Sequence, residues 1–328
     1  MVRPRTASSF QDRCGQIVER FRGQPDASAR TLLVTIFGDC VRPHGGEIWT
    51  GSLVRLVEPL GISERLVRTS LNRLAGEGLL ATRRAGRRSF YSVTPAADRE
   101  FASVEDRIYH RAREAWDGRW TIVAETAGLP APVRTELRQR LGWLGFAALS
   151  PGVQICPADR SAAVGALLED LDACGGVAAF RASALPSSAA GGANGTGLDD
   201  RALARRTSDL DVLTPAYEAF LARFGPLVDG AAGTPAPEGN GRDVDAETAF
   251  LTRTLLLHNW RRIVLREPAL PAELWPDAWV GDTAYDVAGA IYRRLSPGAE
   301  AHLRAVCETP AGSLPALDPL HRNRFNRR

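Results

Sequence analysis

The sequence predicts a multidomain α+β protein, on three observations. Its 328 residues are enough for two or three domains rather than one. Between Gly61 and Val93 an arginine-studded helical period runs directly into two short strands joined by a tight turn. From Trp120 to Arg181 strands alternate with two helices, and beyond Leu210 helical periods dominate. These patterns predict an N-terminal winged helix-turn-helix, a middle ferredoxin-like domain and a mostly helical C-terminal domain.

Taken in order, residues 1–27 read as a loose tail and residues 28–98 as the winged-helix domain. A first helix from Ser28 carries Leu32, Leu33, Ile36 and Phe37 as an inner stripe, and Cys40 falls among apolar neighbours as a core residue. His44 to Trp49 reads as a turn into a short strand, with Trp49 as an apolar anchor and Glu47 placed to bond a backbone group or an arginine. Ser52 is the expected start of the second helix. Gly61 and Ile62 then give a tight junction, and Ser63 caps a third helix through its hydroxyl. In that helix Leu66, Ser70, Leu71 and Leu74 share one face, which leaves Arg65, Arg68, Thr69, Asn72 and Arg73 on the other.

Those outward residue types match base edges and phosphates: arginine forks onto guanine, asparagine pairs with adenine, and threonine reaches a phosphate or a thymine methyl. Gly76 and Gly78 close the helix, and the strands Leu79 to Arg84 and Arg88 to Val93 flank the turn Ala85, Gly86, Arg87. The hairpin tip therefore gathers Arg83, Arg84, Arg87 and Arg88. From Gly61 to Thr94 seven arginines face two glutamates, a local surplus of five that exceeds the net +3 of the whole chain. A polyanionic backbone rewards such a patch through counterion release, so double-stranded DNA is the expected partner. A winged helix that contacts protein instead is the competing reading.

Thr94 and Pro95 start a helix that runs toward Trp116, residues 99–118 forming the connecting segment, with Ala97, Phe101, Val104, Ile108, Ala112 and Ala115 as one apolar stripe. That stripe packs on its own chain or on a second copy, and a homodimer suits a palindromic operator. The middle domain, residues 119–183, is read as strand TIVAE, helix Ala131–Gly142, strands Phe146–Leu149 and Val153–Cys156, helix Ser161–Cys174 and strand Val177–Arg181. Its expected role is scaffolding or dimerisation. Residues 184–209 read as a linker, 210–318 as the helical domain and 319–328 as a tail. The Gly- and Ala-rich stretches Ser183–Asp200 and Pro226–Asp243 read as linkers or surface loops. Helices are expected over Leu210–Phe224, from a cap at Asp245 to Arg266, over Thr283–Leu295 and over Pro297–Cys307.

HGGEIWTGSL (His44–Leu53), ERLVRTSLNRL (Glu64–Leu74), GRRSFYSVT (Gly86–Thr94), WDGRW (Trp116–Trp120) and LLLHNWRRIVLREPALPAELWPDAWVG (Leu255–Gly281) resemble the PaaX family of repressors of phenylacetate catabolism. The resemblance spans roughly residues 28 to 318 and implies a Cas2-like middle domain and repression relieved by phenylacetyl-coenzyme A. On that implication the C-terminal aromatics and arginines become candidate effector contacts: His258, Trp260, Arg261, Arg262, Trp279, Tyr292 and Arg293. Guanidinium groups suit the phosphates of an acyl-coenzyme A and aromatic walls suit its aryl tail. His258 and Arg261, three residues apart, share a helical face. Ordinary core packing, and ion pairs with Glu267, Asp277 or Asp282, account for the same residues equally well.

Other classes find little support. Five cysteines and five histidines are scattered without ligand spacing, so no metal or other cofactor is expected. There is no GxSxG elbow, Walker loop, HExxH or dinucleotide glycine pattern. A metal-dependent nuclease in the middle domain, with Asp117 and Glu125 as its nearest carboxylates, or a C-terminal thioester hydrolase, stands as the enzyme alternative. The N-terminus lacks a signal-peptide core and no apolar run approaches a membrane span, which predicts a cytoplasmic protein with no membrane association.

Overall fold

A computed structural model describes residues 9–22, 29–111, 113, 115–126, 128–184, 199–208, 210–228 and 243–326. Residues 185–198 and 229–242, most of the two stretches read as linkers or loops, lie outside the described residues. The chain divides into two compact units, one made of residues 1–111, 216–265 and 281–328, the other of 112–215 and 266–280. The N-terminal elements and most of the C-terminal helices thus form one body, a different division from the successive domains expected at 28–98 and 210–318.

In the first unit, α1 (Phe10–Arg22) buries Phe10, Cys14, Ile17 and Val18 at helical spacing and packs on α10 (Ala246–Val264). The segment read as a loose tail therefore contains a packed helix, because its apolar positions are spaced for one face. α2 (Ala29–Ile36) buries Leu32, Leu33 and Ile36 and runs into a wider π-helical turn, Phe37–Val41. β1 (Glu47–Trp49) leads into α3, which starts at Thr50 and ends at Val57. Ser52, expected to open this helix, does not start it. It lies inside α3, where its hydroxyl accepts the backbone N–H of Glu308 at 2.9 Å.

A 3₁₀ turn, Glu58–Leu60, and Gly61 at φ +79° separate α3 from α4 (Glu64–Gly76). An L side chain is strained at that φ, so glycine sets the angle between the two helices. β2 (Leu80–Ala85) and β3 (Arg88–Val93) form a hairpin whose two-residue loop places Gly86 at φ +58°. β1 completes the sheet in the order β1-β3-β2. α5 (Pro95–Tyr109) is capped by Thr94, whose hydroxyl accepts from Ala97 N at 3.2 Å. It ends seven residues short of Trp116, the limit expected for it.

The first unit is completed by the distal part of α9 (Leu210–Phe224), by α10, by α11 (Val280–Val306) and by the short pair β8 (Glu308–Thr309) and β9 (Gly312–Ser313). Asp245 caps α10 as expected, accepting from Thr248 N at 2.8 Å. The two helices expected over Thr283–Leu295 and Pro297–Cys307 are one, with Pro297 inside it. Buried Leu295, Ala299 and Leu303 keep the same face inward on both sides of the proline, and that packing outweighs the lost backbone bond.

Charged groups lie at the centre of this unit. Asp39 accepts from the hydroxyls of Tyr109 and Tyr292 and from Arg324 Nη1, all at 2.9 Å, with Arg253 Nη2 at 3.5 Å. Glu300 bonds Arg253 at 2.9 Å and His44 at 3.0 Å. Burial pushes its carboxyl up, but His44 and Arg253 outweigh that and hold it at about 2. Cys40, expected as plain core, is buried against Asp39 and Arg253. Phe325 packs edge-on to Tyr109, so residues 319–328, read as a tail, contribute two buried side chains, Arg324 and Phe325.

The second unit carries β4 (Trp120–Glu125), α6 (Ala131–Trp143), β5 (Ala147–Ser150), β6 (Val153–Cys156), α7 (Ser161–Asp170) and β7 (Val177–Ala182). The antiparallel sheet runs β5-β6-β4-β7, the βαββαβ order that the alternation predicted. Leu137, Leu141, Val164 and Leu167 pack the two helices onto Val123 and Cys156 of the sheet. α8 (Asp200–Thr207), capped by Asp199, lies within the segment read as a linker and is tied to β4 by Trp120 Nε1 donating to Asp200 at 2.8 Å.

Candidate nucleic-acid interface

α4 is held by its apolar face. Val67, Ser70, Leu71 and Leu74 are buried, so Val67 takes the place expected for Leu66, which is half-exposed. Ser63 caps the helix as predicted, accepting from Leu66 N at 3.3 Å. α2 packs against it from within the unit. Arg65, Arg68, Thr69, Asn72 and Arg73 are all exposed, as the spacing required.

The exposed residues are not equivalent. Arg68 pairs with Glu64 at 2.7 Å, one helical turn away. Thr69 donates its hydroxyl to Arg65 O at 2.9 Å. Tyr91 of β3 donates to Asn72 Oδ1 at 2.9 Å, which orients the amide and ties α4 to the hairpin. Among the described residues, Arg65, Arg73, Arg84 and Arg87 make no ion pair. Two hairpin arginines are engaged. Arg83 grips Glu47 with two nitrogens at 3.1 Å, and these contacts raise its guanidinium pKa. Arg88 pairs with Glu308 at 2.6 Å and sits 4.4 Å above the Trp49 ring. Arg55 bonds the same Glu308 at 2.9 Å, and the two arginines lower that carboxyl. No local sequence pattern joins Arg55 to Glu308, because 253 positions separate them.

The candidate effector residues scatter. His258 and Arg261 do share a face of α10, and both meet Thr35 of α2: Arg261 Nη1 donates to Thr35 Oγ1 at 3.1 Å, with His258 Nδ1 at 3.4 Å from the same oxygen. Burial, reinforced by Arg262 and Arg261, pulls His258 down to about 4, so it is neutral at pH 7. Arg262 is exposed. Trp260 faces elsewhere, packed on Tyr217, Phe220 and Tyr285 and donating to Ile108 O at 2.8 Å. Tyr292 is committed to Asp39, and Arg293 donates to Phe325 O at 2.6 Å. Trp279 belongs to the second unit, where its indole donates to Glu267 at 3.3 Å.

The carboxylates weighed for a nuclease are occupied. Glu125 is paired with Arg138 at 2.9 Å and Arg134 at 3.1 Å, and Asp117 with Arg181. Among the described residues no group of His, Cys, Asp and Glu is arranged to hold a metal ion. None of the described helices is long and apolar enough to cross a membrane.

Comparison with known proteins adds an independent line. Residues 28–97 match the PaaX-like protein family, residues 113–193 the PaaX protein central Cas2-like domain, and residues 208–305 the PaaX-like protein C-terminal domain. The chain is 37% identical over 301 residues to the transcriptional repressor PaaX of Escherichia coli (strain K12), covering 91% of this chain and 90% of that one. Its fold is similar to that of the uncharacterized protein Rv0674 from Mycobacterium tuberculosis, with a TM-score of 0.50 at 22% identity over 83% of this chain and 97% of the other. At that identity the likeness concerns the fold alone.

Proposed function

The chain belongs to the PaaX-like protein family, and from that premise we propose that it is a DNA-binding transcriptional repressor of an aromatic, phenylacetate-type catabolic operon. It acts in the cytoplasm as a homodimer and leaves its operator when an aryl-acyl-coenzyme A such as phenylacetyl-coenzyme A binds. The helices α3 and α4 with the β2-β3 hairpin are read as a winged helix-turn-helix, and the helices around α10 and α11 as the C-terminal regulatory part.

The observation that carries this reading is the set of exposed arginines on α4 and the β2-β3 hairpin, Arg65, Arg73, Arg84 and Arg87, that make no ion pair among the described residues. Tyr91 bonding Asn72 supports helix and wing acting as one rigid head. α4 reads bases while the wing holds phosphate, with Arg68 exchanging Glu64 for DNA. A regulator without turnover is favoured over an enzyme by the arginine pairing of Asp117 and Glu125.

The test is fluorescence anisotropy on DNA from upstream of the protein's own gene. Tight binding that weakens steeply with salt is expected, as is a shallower salt dependence for Arg87→Ala, by about one phosphate contact. Weak, salt-insensitive association would refute the DNA-binding reading in favour of a protein-interaction module.

A further inference from the structure

An open, shallow groove lies between α2, α5 and α10. Its walls are Val34, Phe101, Val104, Ile108, Leu257 and Leu265. The stripe on α5 expected to pack as core, or on a second copy, is only half-buried at Phe101, Val104 and Ile108, because it faces this space. Gly38 backs the groove: a Cβ there would meet Phe101 Cε1 at 3.2 Å. Gly38 stands in the π-helical turn Phe37–Val41, a departure from α geometry that is frequent at functional sites.

Arg261 enters this apolar space from α10. Its one polar partner among the described residues is the Thr35 hydroxyl, a neutral group. Burial lowers its guanidinium pKa, with Tyr109 acting against that and nearby Arg262 with it. The other charges at the groove are compensated: Glu105 takes Arg42 at 2.6 Å and Arg324 at 2.9 Å, and Asp39 takes Arg324 at 2.9 Å. A partly desolvated cation without an anion is costly, and packing alone gives no reason to keep one.

We propose that this groove binds a small ligand with an apolar body and an anionic group, the anion seated on Arg261 and the body against Phe101, Val104 and Ile108. The proposal rests on the repressor reading and gives its effector a location. Two sources share this chemistry, a free aryl carboxylate and the phosphate-bearing coenzyme A thioester of the same acid. α2 lines the groove and also packs on α4, so a ligand that displaces α2 changes the seat of the reading helix. Release from DNA then follows if the ligand favours the displaced form.

The test is calorimetric titration of the full-length protein, without DNA, with phenylacetate, coenzyme A and phenylacetyl-coenzyme A in turn. Wild type is compared with Arg261→Met and with Val104→Trp, which fills the groove from a half-exposed position. Either aryl compound binds wild type, and both substitutions weaken it by about tenfold or more, the scale of a lost charged contact. Binding of phenylacetate assigns the free acid, and binding of the thioester alone assigns the coenzyme A form.

Operator affinity without ligand is unchanged in both variants. The melting temperature of Arg261→Met stays level or rises, since an uncompensated charge is gone, whereas a structural arginine would leave the variant less stable. The proposal is overturned if neither aryl compound binds wild type, if coenzyme A binds as well as its thioester, or if both variants bind like wild type. Ligand binding by a wild-type protein that does not bind DNA would sink the repressor reading and leave the groove standing.

Discussion

Arg324 is four residues from the end of the chain, yet replacing it with methionine should be among the most damaging single substitutions in the first unit. Its Nη1 donates to both the backbone oxygen and Oδ1 of Asp39 at 2.9 Å, its Nη2 bonds Glu105 at 2.9 Å, and the guanidinium lies 4.3 Å from the centre of the Tyr109 ring. Methionine fills much of the same volume and removes the charge. Breaking a buried ion pair by deleting one partner costs roughly 3–5 kcal/mol. Asp39 keeps two tyrosine hydroxyls and Arg253, and Glu105 keeps Arg42 and His321. The surviving partners place the cost at the lower end, about 3 kcal/mol. For a unit of roughly 200 residues each kcal/mol shifts the melting temperature by about 2–4 °C, so a fall of about 6–12 °C is expected. Differential scanning calorimetry of Arg324→Met beside Arg322→Met, an exposed neighbour, isolates the effect. If the two variants melt within about 2 °C of each other, the buried network does not hold this unit together and the reasoning is refuted.

Three further outcomes follow from named contacts. His258 sits at about 4 in the folded chain against roughly 6.5 unfolded; its contribution is complete above pH 6.5 and is lost as pH falls toward 4, because only the unfolded chain takes up the proton. His258→Leu should flatten stability across that window relative to wild type by up to roughly 3 kcal/mol, measured by urea unfolding at each pH, and an unchanged slope would contradict the burial argument. Glu308→Gln frees Arg55 and Arg88 from a shared carboxylate, so DNA affinity at low salt should rise and its salt dependence steepen; an unchanged titration would mean that neither arginine lies near phosphate. Ser63→Ala removes the cap of α4 and should cost about 1 kcal/mol in denaturant unfolding, with Ser63→Gly much closer to wild type; equal losses would argue against a capping role.

Much of the local order was legible because it obeys short-range periodicity. Ser63, Thr94 and Asp245 were readable as caps, since a hydroxyl or carboxylate at the first turn satisfies amides two or three positions away. The βαββαβ order of the second unit emerged from alternating patterns alone. The exposed arginines of α4 followed from its 3.6-residue repeat, with an error of one position at Leu66 and Val67. Where signals competed, the reading failed: Pro297 suggested a break that burial on both sides of it overrode. α1 was not expected because polar residues surround its four buried apolar ones.

The chain by itself determined the elements, the reading face and the local surplus of positive charge, all of which depend on neighbours within a few residues. Tertiary structure alone decided which charges remain available. Arg88 and Arg55 are claimed by Glu308, Arg324 by Asp39 and Glu105, while Arg261 is left facing an apolar groove with a threonine for company. Those pairings join positions tens to hundreds of residues apart. A charge's value depends on the dielectric and the counter-charge around it, and both are set only when distant segments pack together.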